Sequence, residues 1–192
     1  MKKFLAILLA MLLLIAPCAL AEEDDEIERS PIDAMEPITD SIMRVIMENA
    51  GNYDPQSEDY VWSVLYLFGV NYGLEFPGTA IDDETYDFLI PGDLIRAAAA
   101  SAFPVLSELP ALPVVEGTSF GYDADADTYV LPGSDVGDSY SEAKDVKTAD
   151  DGTLSLTLQM CNMDQEVIGE MGFELSPAAD GATFPYVIKS VK

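Results

Sequence analysis

The sequence predicts an α+β fold in which about three N-terminal helices pack on a curved, five- or six-stranded antiparallel sheet. Apolar residues recur at helical spacing as far as about residue 104, and from about residue 113 they alternate with polar ones. Turn-forming pairs such as Asp151-Gly152 separate the alternating segments. Helices followed by strands are typical of α+β domains, in which the helices cover one face of the sheet.

Residues 1–21 have the layout of a secretory signal peptide. Lys2 and Lys3 precede an apolar run, and small residues follow in Ala19-Leu20-Ala21. The apolar run is shorter than the roughly 20 residues that a membrane-spanning helix needs. We therefore predict export, cleavage after Ala21 and no transmembrane segment in the mature chain. The alternative is a lipoprotein with the lipid on Cys18, although Pro17 fits that processing poorly.

The rest of the chain divides into a tail and one domain. Residues 22–36 are predicted to be an acidic flexible tail, because the run EEDDEIERS concentrates like charges that repel one another. Residues 37–192 are predicted to form a single α+β domain, since their number suits one hydrophobic core.

Three helices are expected at the start of this domain. The first covers about residues 37–50, and the second runs from Asp54-Pro55 to about Val70 with Asp54 as its N-cap. Apolar residues surround much of the second helix, which predicts a central position with Trp62 in the core. The third begins at Pro91-Gly92-Asp93 and ends before Pro104.

Strands are expected from the alternating segments and from the turns between them. A short extended segment precedes the third helix, one hairpin follows it, and a meander completes the chain, at about residues 85–90, 117–131, 140–148, 154–161, 167–175 and 184–191. On strict alternation, Cys161 lies on the more polar face of its strand.

This order of elements resembles the NTF2-like and cystatin-like superfold of many small exported bacterial domains. The resemblance covers roughly residues 37–192 and consists of three helices followed by a meander that ends in FPYVIKSVK. It implies a cone-shaped sheet, and in some members the cone holds a small ligand or an active site. No residue of this chain matches such a site, so the resemblance implies architecture alone.

The composition excludes several classes of function. The chain has no histidine, which removes Ser-His-Asp and Cys-His catalysis and histidine zinc sites. No phosphate-binding glycine motif is present. After the predicted cleavage, Cys161 is the last remaining cysteine, and we expect it to be a free thiol. No catalytic residue and no organic cofactor are predicted, and carboxylates are the remaining candidates for acid–base chemistry.

The charge of the chain limits its partners. The whole chain has 35 acidic and nine basic residues, and two of the nine lie in the predicted signal peptide. The others are scattered: Arg29, Arg44, Arg96, Lys144, Lys147, Lys189 and Lys192. Because nucleic acids and anionic membranes are bound by clustered Lys and Arg, we expect neither as a partner. A protein, a glycan or a small molecule remains.

A run of alternate acids gives the one candidate metal site. Asp123, Asp125 and Asp127 could converge on a calcium ion, which takes oxygen ligands. The run is not an EF-hand, because Thr128 and Ser134 stand where that loop needs glycine and glutamate. Possible further ligands are Asp135 and Asp138. The alternative is a solvated hairpin tip, since aspartates favour turns.

These observations predict a non-catalytic exported binding or interaction domain. One alternative is a small-molecule binding protein or carboxylate-based enzyme that uses the concave face of the sheet. Another is a calcium-stabilised structural module. A deep pocket on the concave face with Tyr or Trp and buried carboxylates would favour the first alternative, whereas a face filled by the protein's own side chains would favour an interaction domain.

Overall fold

The structure is a computed structural model that describes residues 30–49, 51–113, 120–134 and 137–192. The predicted signal peptide and most of the predicted tail lie outside these ranges. The described residues form three α-helices and two antiparallel sheets of four strands each, which confirms the α+β class. None of the helices within these ranges has the length and apolar character that crossing a membrane requires.

The helices lie where the apolar periodicity predicts them. They are α1 (Glu36–Asn49), α2 (Glu58–Tyr72) and α3 (Gly92–Ala102). A 3-10 turn, Asp33–Met35, leads into α1, and the side chain of Met35 is fully buried. The last residues assigned to the tail are therefore part of the folded domain.

Helix α2 begins later than predicted. Ser57 has extended backbone angles, and its hydroxyl accepts a hydrogen bond from the Tyr60 N–H at 3.3 Å, so Ser57 is the N-cap. The Asp54 carboxylate instead accepts a hydrogen bond from the Gln56 N–H at 3.1 Å, in the turn that precedes Ser57. The prediction of Asp54 as the cap was wrong, because either acceptor can start a helix and the turn uses Asp54 first.

The first sheet packs against α2. Its strands are β1 (Ala80–Ile81), β2 (Phe88–Pro91), β3 (Gly121–Asp123) and β4 (Thr128–Leu131), in the order β1-β2-β4-β3. Close approach is possible because α2 carries Gly69 at the contact. A Cβ atom there would lie 2.4 Å from a methyl group of Leu131.

The second sheet consists of the last four strands of the predicted C-terminal meander. Its strands are β5 (Ser139–Thr148), β6 (Leu154–Asn162), β7 (Val167–Pro177) and β8 (Tyr186–Val191), each paired with the next. The predicted turn at Asp151-Gly152 joins β5 to β6, with Gly152 at a φ of +81°.

The sheet count differs from the prediction of one five- or six-stranded sheet. The predicted hairpin is β3–β4, and β4 pairs with β2 rather than with the meander. Alternation identifies a strand but does not identify its partner, so the sequence pattern merged two sheets into one.

The main core lies between the helices and one face of the second sheet, called the inner face below. Leu154, Leu156, Leu158 and Met160 of β6 alternate onto this face and are buried. Trp62 is in the core as predicted, 3% exposed, and its indole N–H donates to the Ala111 carbonyl at 2.8 Å.

Candidate ligand cleft on the inner face of the second sheet

A cleft opens where the start of α1 crosses the inner face of the second sheet. Its cavity has a volume of about 340 Å³. Four of its lining residues come from the segment that contains the 3-10 turn and the start of α1, and six come from β5 and β6. They are Ile32, Asp33, Glu36, Thr39, Ser141, Glu142, Ala143, Val146, Leu156 and Leu158.

The floor of the cleft is apolar. Leu156 and Leu158 belong to the main core and are no more than 5% exposed. Ala143 of β5 pairs directly with Leu158 of β6. The small side chain at residue 143 leaves room above Leu158 that a larger residue would occupy, so the cavity follows from the sequence of β5.

Two carboxylates border this floor, and no Lys or Arg of the described residues lines the cavity. Asp33 and Glu36 stand at the helix start, where the helix dipole favours negative charge. Glu142 of β5 also lines the cavity, but it pairs with Gln159, so alternation directs its side chain to the opposite face of the sheet, where it forms an ion pair of 2.5 Å with Lys144. The cleft therefore combines an apolar base with a negative rim.

The two hydroxyls of the cleft differ in their bonding. Thr39 donates to the Met35 carbonyl oxygen at 3.1 Å. The Ser141 hydroxyl oxygen is buried and has no hydrogen-bond partner among the described residues. Leaving such a group unpaired costs roughly 1–3 kcal/mol, so a ligand group that bonds to Ser141 would relieve an existing cost.

The predicted calcium ligands lie elsewhere, on the β3–β4 hairpin of the first sheet. The Asp123 carboxylate accepts the N–H groups of Asp125 and Ala126 at 2.9 and 3.2 Å, which closes the turn. The Asp127 carboxylate accepts from both terminal nitrogens of Arg96, at 3.0 and 2.7 Å.

The electrostatics of this hairpin follow from the Arg96 pair. Hydrogen bonds from Arg96 first, and from the Tyr122 hydroxyl second, lower the pKa of Asp127 to about 2. Within the described part of the chain, no three Cys, Asp or Glu side chains are grouped so that they could hold a metal. Calcium at this turn stays a prediction, and it would require Arg96 to release Asp127. Asp138 is exposed, and Asp135 lies outside the described residues.

Cys161 is a buried free thiol in this structure. It pairs across the strands with Tyr140, whose pKa is raised by desolvation and then by Cys161 itself. A bulge between Met160 and Cys161 interrupts the regular pairing with β7. Cys161 does not line the cleft.

An aromatic groove of about 410 Å³ lies beside α2. Its lining includes Trp62, Tyr66, Phe120 and Pro113. The indole of Trp62 is almost completely covered and its N–H is already bonded. The segment 114–119 joins two lining residues of this groove and lies outside the described residues, so the inner-face cleft is the better defined site.

Sequence reasoning named the concave face of the sheet as a candidate ligand surface, but it did not identify the residues of the cleft. Asp33 and Glu36 were assigned to the tail. Ser141 and Ala143 carried a weak signal, since they are small residues at the inward positions of a strand where larger apolar ones are usual.

No family model, no curated protein and no solved structure matches this chain. The resemblance to NTF2-like and cystatin-like domains therefore remains a prediction from element order. The functional argument depends on the geometry of the cleft.

Proposed function

We propose that this protein is a non-catalytic exported binding domain that holds an organic cation, an ammonium or guanidinium attached to an apolar group. The observation that carries the proposal is the cleft with Asp33 and Glu36 at its rim, Leu156 and Leu158 at its floor and no basic residue among its described lining residues. The cation would meet the rim, and the apolar group would cover the floor.

The two halves of such a ligand contribute different energies. Each buried CH₂ group contributes about 0.8 kcal/mol, so affinity should rise with chain length until the cavity is full. The rim selects the sign of the charge, and the formal net charge of −26 attracts cations from a distance. A donor on the ammonium group can also bond to the Ser141 hydroxyl.

The first experiment is calorimetric titration of the purified protein with butylamine, hexylamine, hexanol and hexanoate at one fixed ionic strength. We expect hexylamine to bind, hexanoate not to bind, and hexanol to bind more weakly. From butylamine to hexylamine the affinity should rise roughly tenfold, from two additional CH₂ groups. Equal binding of the amine and the carboxylate would contradict the proposal.

Two variants locate the binding. Ala143→Leu fills the cavity and should abolish hexylamine binding. Asp33→Asn with Glu36→Gln removes two rim charges and should weaken it strongly. The matched control is Asp150→Asn with Asp180→Asn, which removes two charges from exposed positions away from the cleft. If both double variants weaken binding equally, the attraction is general and the cleft is not the site.

Catalysis by the rim carboxylates is the alternative for the same cleft. Asp and Glu pairs can act as acid and base in glycoside cleavage. Release of reducing sugar from a polysaccharide panel, lost on Glu36→Gln and retained on Asp180→Asn, would replace the binding proposal with an enzymatic one.

A further inference from the structure

Three methionines meet at the other end of α1, away from the ligand cleft. Gly169 of β7 pairs with Met160 of β6 on the inner face of the sheet. At this position α1 comes so close that a Cβ atom on Gly169 would lie 2.7 Å from Sδ of Met47 and 3.3 Å from Cε of Met43. Methionine side chains from two successive turns of α1 therefore lie against Gly169, whose partner on β6 is a third methionine, Met160.

The cluster is accessible from one side. Met43 and Met160 are buried, whereas Met47 is 37% exposed. A cavity of about 280 Å³ reaches Met47 and Met160 between α1 and the edge of the sheet. Methionine is an ordinary filler of core gaps, but core filling does not require a partly exposed methionine and an open cavity beside a buried one.

The charged groups at this cavity are balanced. Arg44 lines it, and the buried carboxylate of Asp40 lies 2.6 Å from the guanidinium. The same guanidinium donates to the hydroxyl and the carbonyl of Ser139, both at 2.8 Å. Glu48 adds a carboxylate to the lining. A monovalent cation that enters would therefore not face an uncompensated positive charge.

Thioether sulfur is a soft, neutral ligand that binds without losing a proton. Among biological metal ions it favours Cu(I), while calcium and magnesium prefer oxygen. We propose that Met43, Met47 and Met160 form a binding site for a soft monovalent metal ion, Cu(I) or its analogue Ag(I). This site is separate from the amine-binding cleft and does not depend on it.

Ag(I) is the first probe, because it needs no reductant. The titration uses Cys18→Ala, Cys161→Ala protein in chloride-free buffer, so that a thiol cannot bind the ion. We expect one saturable site. Met47→Leu should weaken Ag(I) binding by roughly tenfold or more, since one of three soft ligands is lost, and the Met43, Met47, Met160→Leu variant should lose the site.

The matched control is Met163→Leu, which replaces an exposed thioether on the hairpin after β6 and should leave the affinity unchanged. Circular dichroism and the unfolding midpoint of each apo variant show whether it is folded. If the triple variant fails to fold, Met47→Leu decides, because Met47 is partly exposed and its replacement is the least disruptive of the three. Unchanged binding in Met47→Leu, an equal loss in Met163→Leu, or no binding in the thiol-free protein would overturn the proposal.

Competition with bicinchoninate under ascorbate then measures Cu(I) directly. Protein with all three methionines should withdraw Cu(I) from the chelator, and the Met47→Leu variant should withdraw a smaller fraction. Failure to compete for Cu(I), despite methionine-dependent Ag(I) binding, would overturn the assignment to copper.

Discussion

Asp127 illustrates how a residue that stands out in the sequence can have a partner that the sequence spacing does not show. Its backbone has a φ of +47°, a conformation that Asp and Asn tolerate better than most residues. Its carboxylate is held by Arg96 and by the Tyr122 hydroxyl, which donates at 2.8 Å. Sequence spacing showed three aspartates in a turn, but it did not show that Arg96 of α3 lies beside them.

Asp127→Asn tests this ion pair, because asparagine keeps the positive φ and removes the charge. The folded pKa of about 2 lies below the ordinary 3.8, so the pair stabilises the folded state above about pH 4 and loses its effect as the pH falls towards 2. The pair is half-exposed, and we expect the unfolding midpoint at pH 7 to fall by a few degrees at most. Near pH 2 the two proteins should unfold together.

Asp150→Asn is the control for the loss of one exposed charge. A difference between wild type and Asp127→Asn that persists at pH 2 would contradict the ion-pair explanation. The same measurements in EDTA, calcium and magnesium at matched ionic strength test the predicted calcium site. A calcium-selective rise that the Asp123, Asp125, Asp127→Asn variant lacks would establish it, whereas equal midpoints would assign these residues to the turn.

At the scale of elements, helix ends were harder to predict than helix centres. The centre of α2 follows from its many apolar residues, which only a buried helix can accommodate. Its start depends on which of two nearby acceptors meets the first free N–H groups. Asp54 and Ser57 both have the required chemistry, and the turn through Gln56 decides between them.

Ser57→Ala should destabilise the protein by about 1 kcal/mol, because the Tyr60 N–H at the start of α2 loses its acceptor. Asp54→Ala should cost less, since it removes a turn contact at an exposed position. The free energy of unfolding in urea, measured for both variants and for wild type, checks the order. A larger loss in Asp54→Ala would show that Asp54 stabilises the helix start after all.

At the scale of the whole molecule, the excess of acidic residues affects both the solubility of the predicted exported protein and the ligands that it attracts. A formal charge of −26 disfavours association between copies of the chain through electrostatic repulsion. It also makes both proposed ligands, an organic cation and a soft metal ion, electrostatically favourable. The net negative charge therefore supports cation binding in general, and in our proposals the cleft and the methionine cluster would supply the selectivity.

Export is tested by the intact mass of the protein recovered outside the cytoplasm of an expressing bacterium. We expect a chain that begins at Glu22 and carries no lipid, because Ala19-Leu20-Ala21 provides the cleavage site. Cys18→Ser should be exported and cleaved in the same way. A lipid-bearing chain that begins at Cys18, and its loss in Cys18→Ser, would establish the lipoprotein alternative instead.

The sequence alone determined the α+β class, the approximate positions of the three helices and the strands of the β3–β4 hairpin and of β5 to β8, because periodicity and turn chemistry are local properties of the chain. The tertiary structure decided which strands share a sheet. It also brought Arg96 to Asp127, the start of α1 to Ala143 and Met47 to Gly169. Each of these contacts joins residues far apart in the sequence, and long-range contacts depend on how the faces of separate elements pack, which no local pattern specifies.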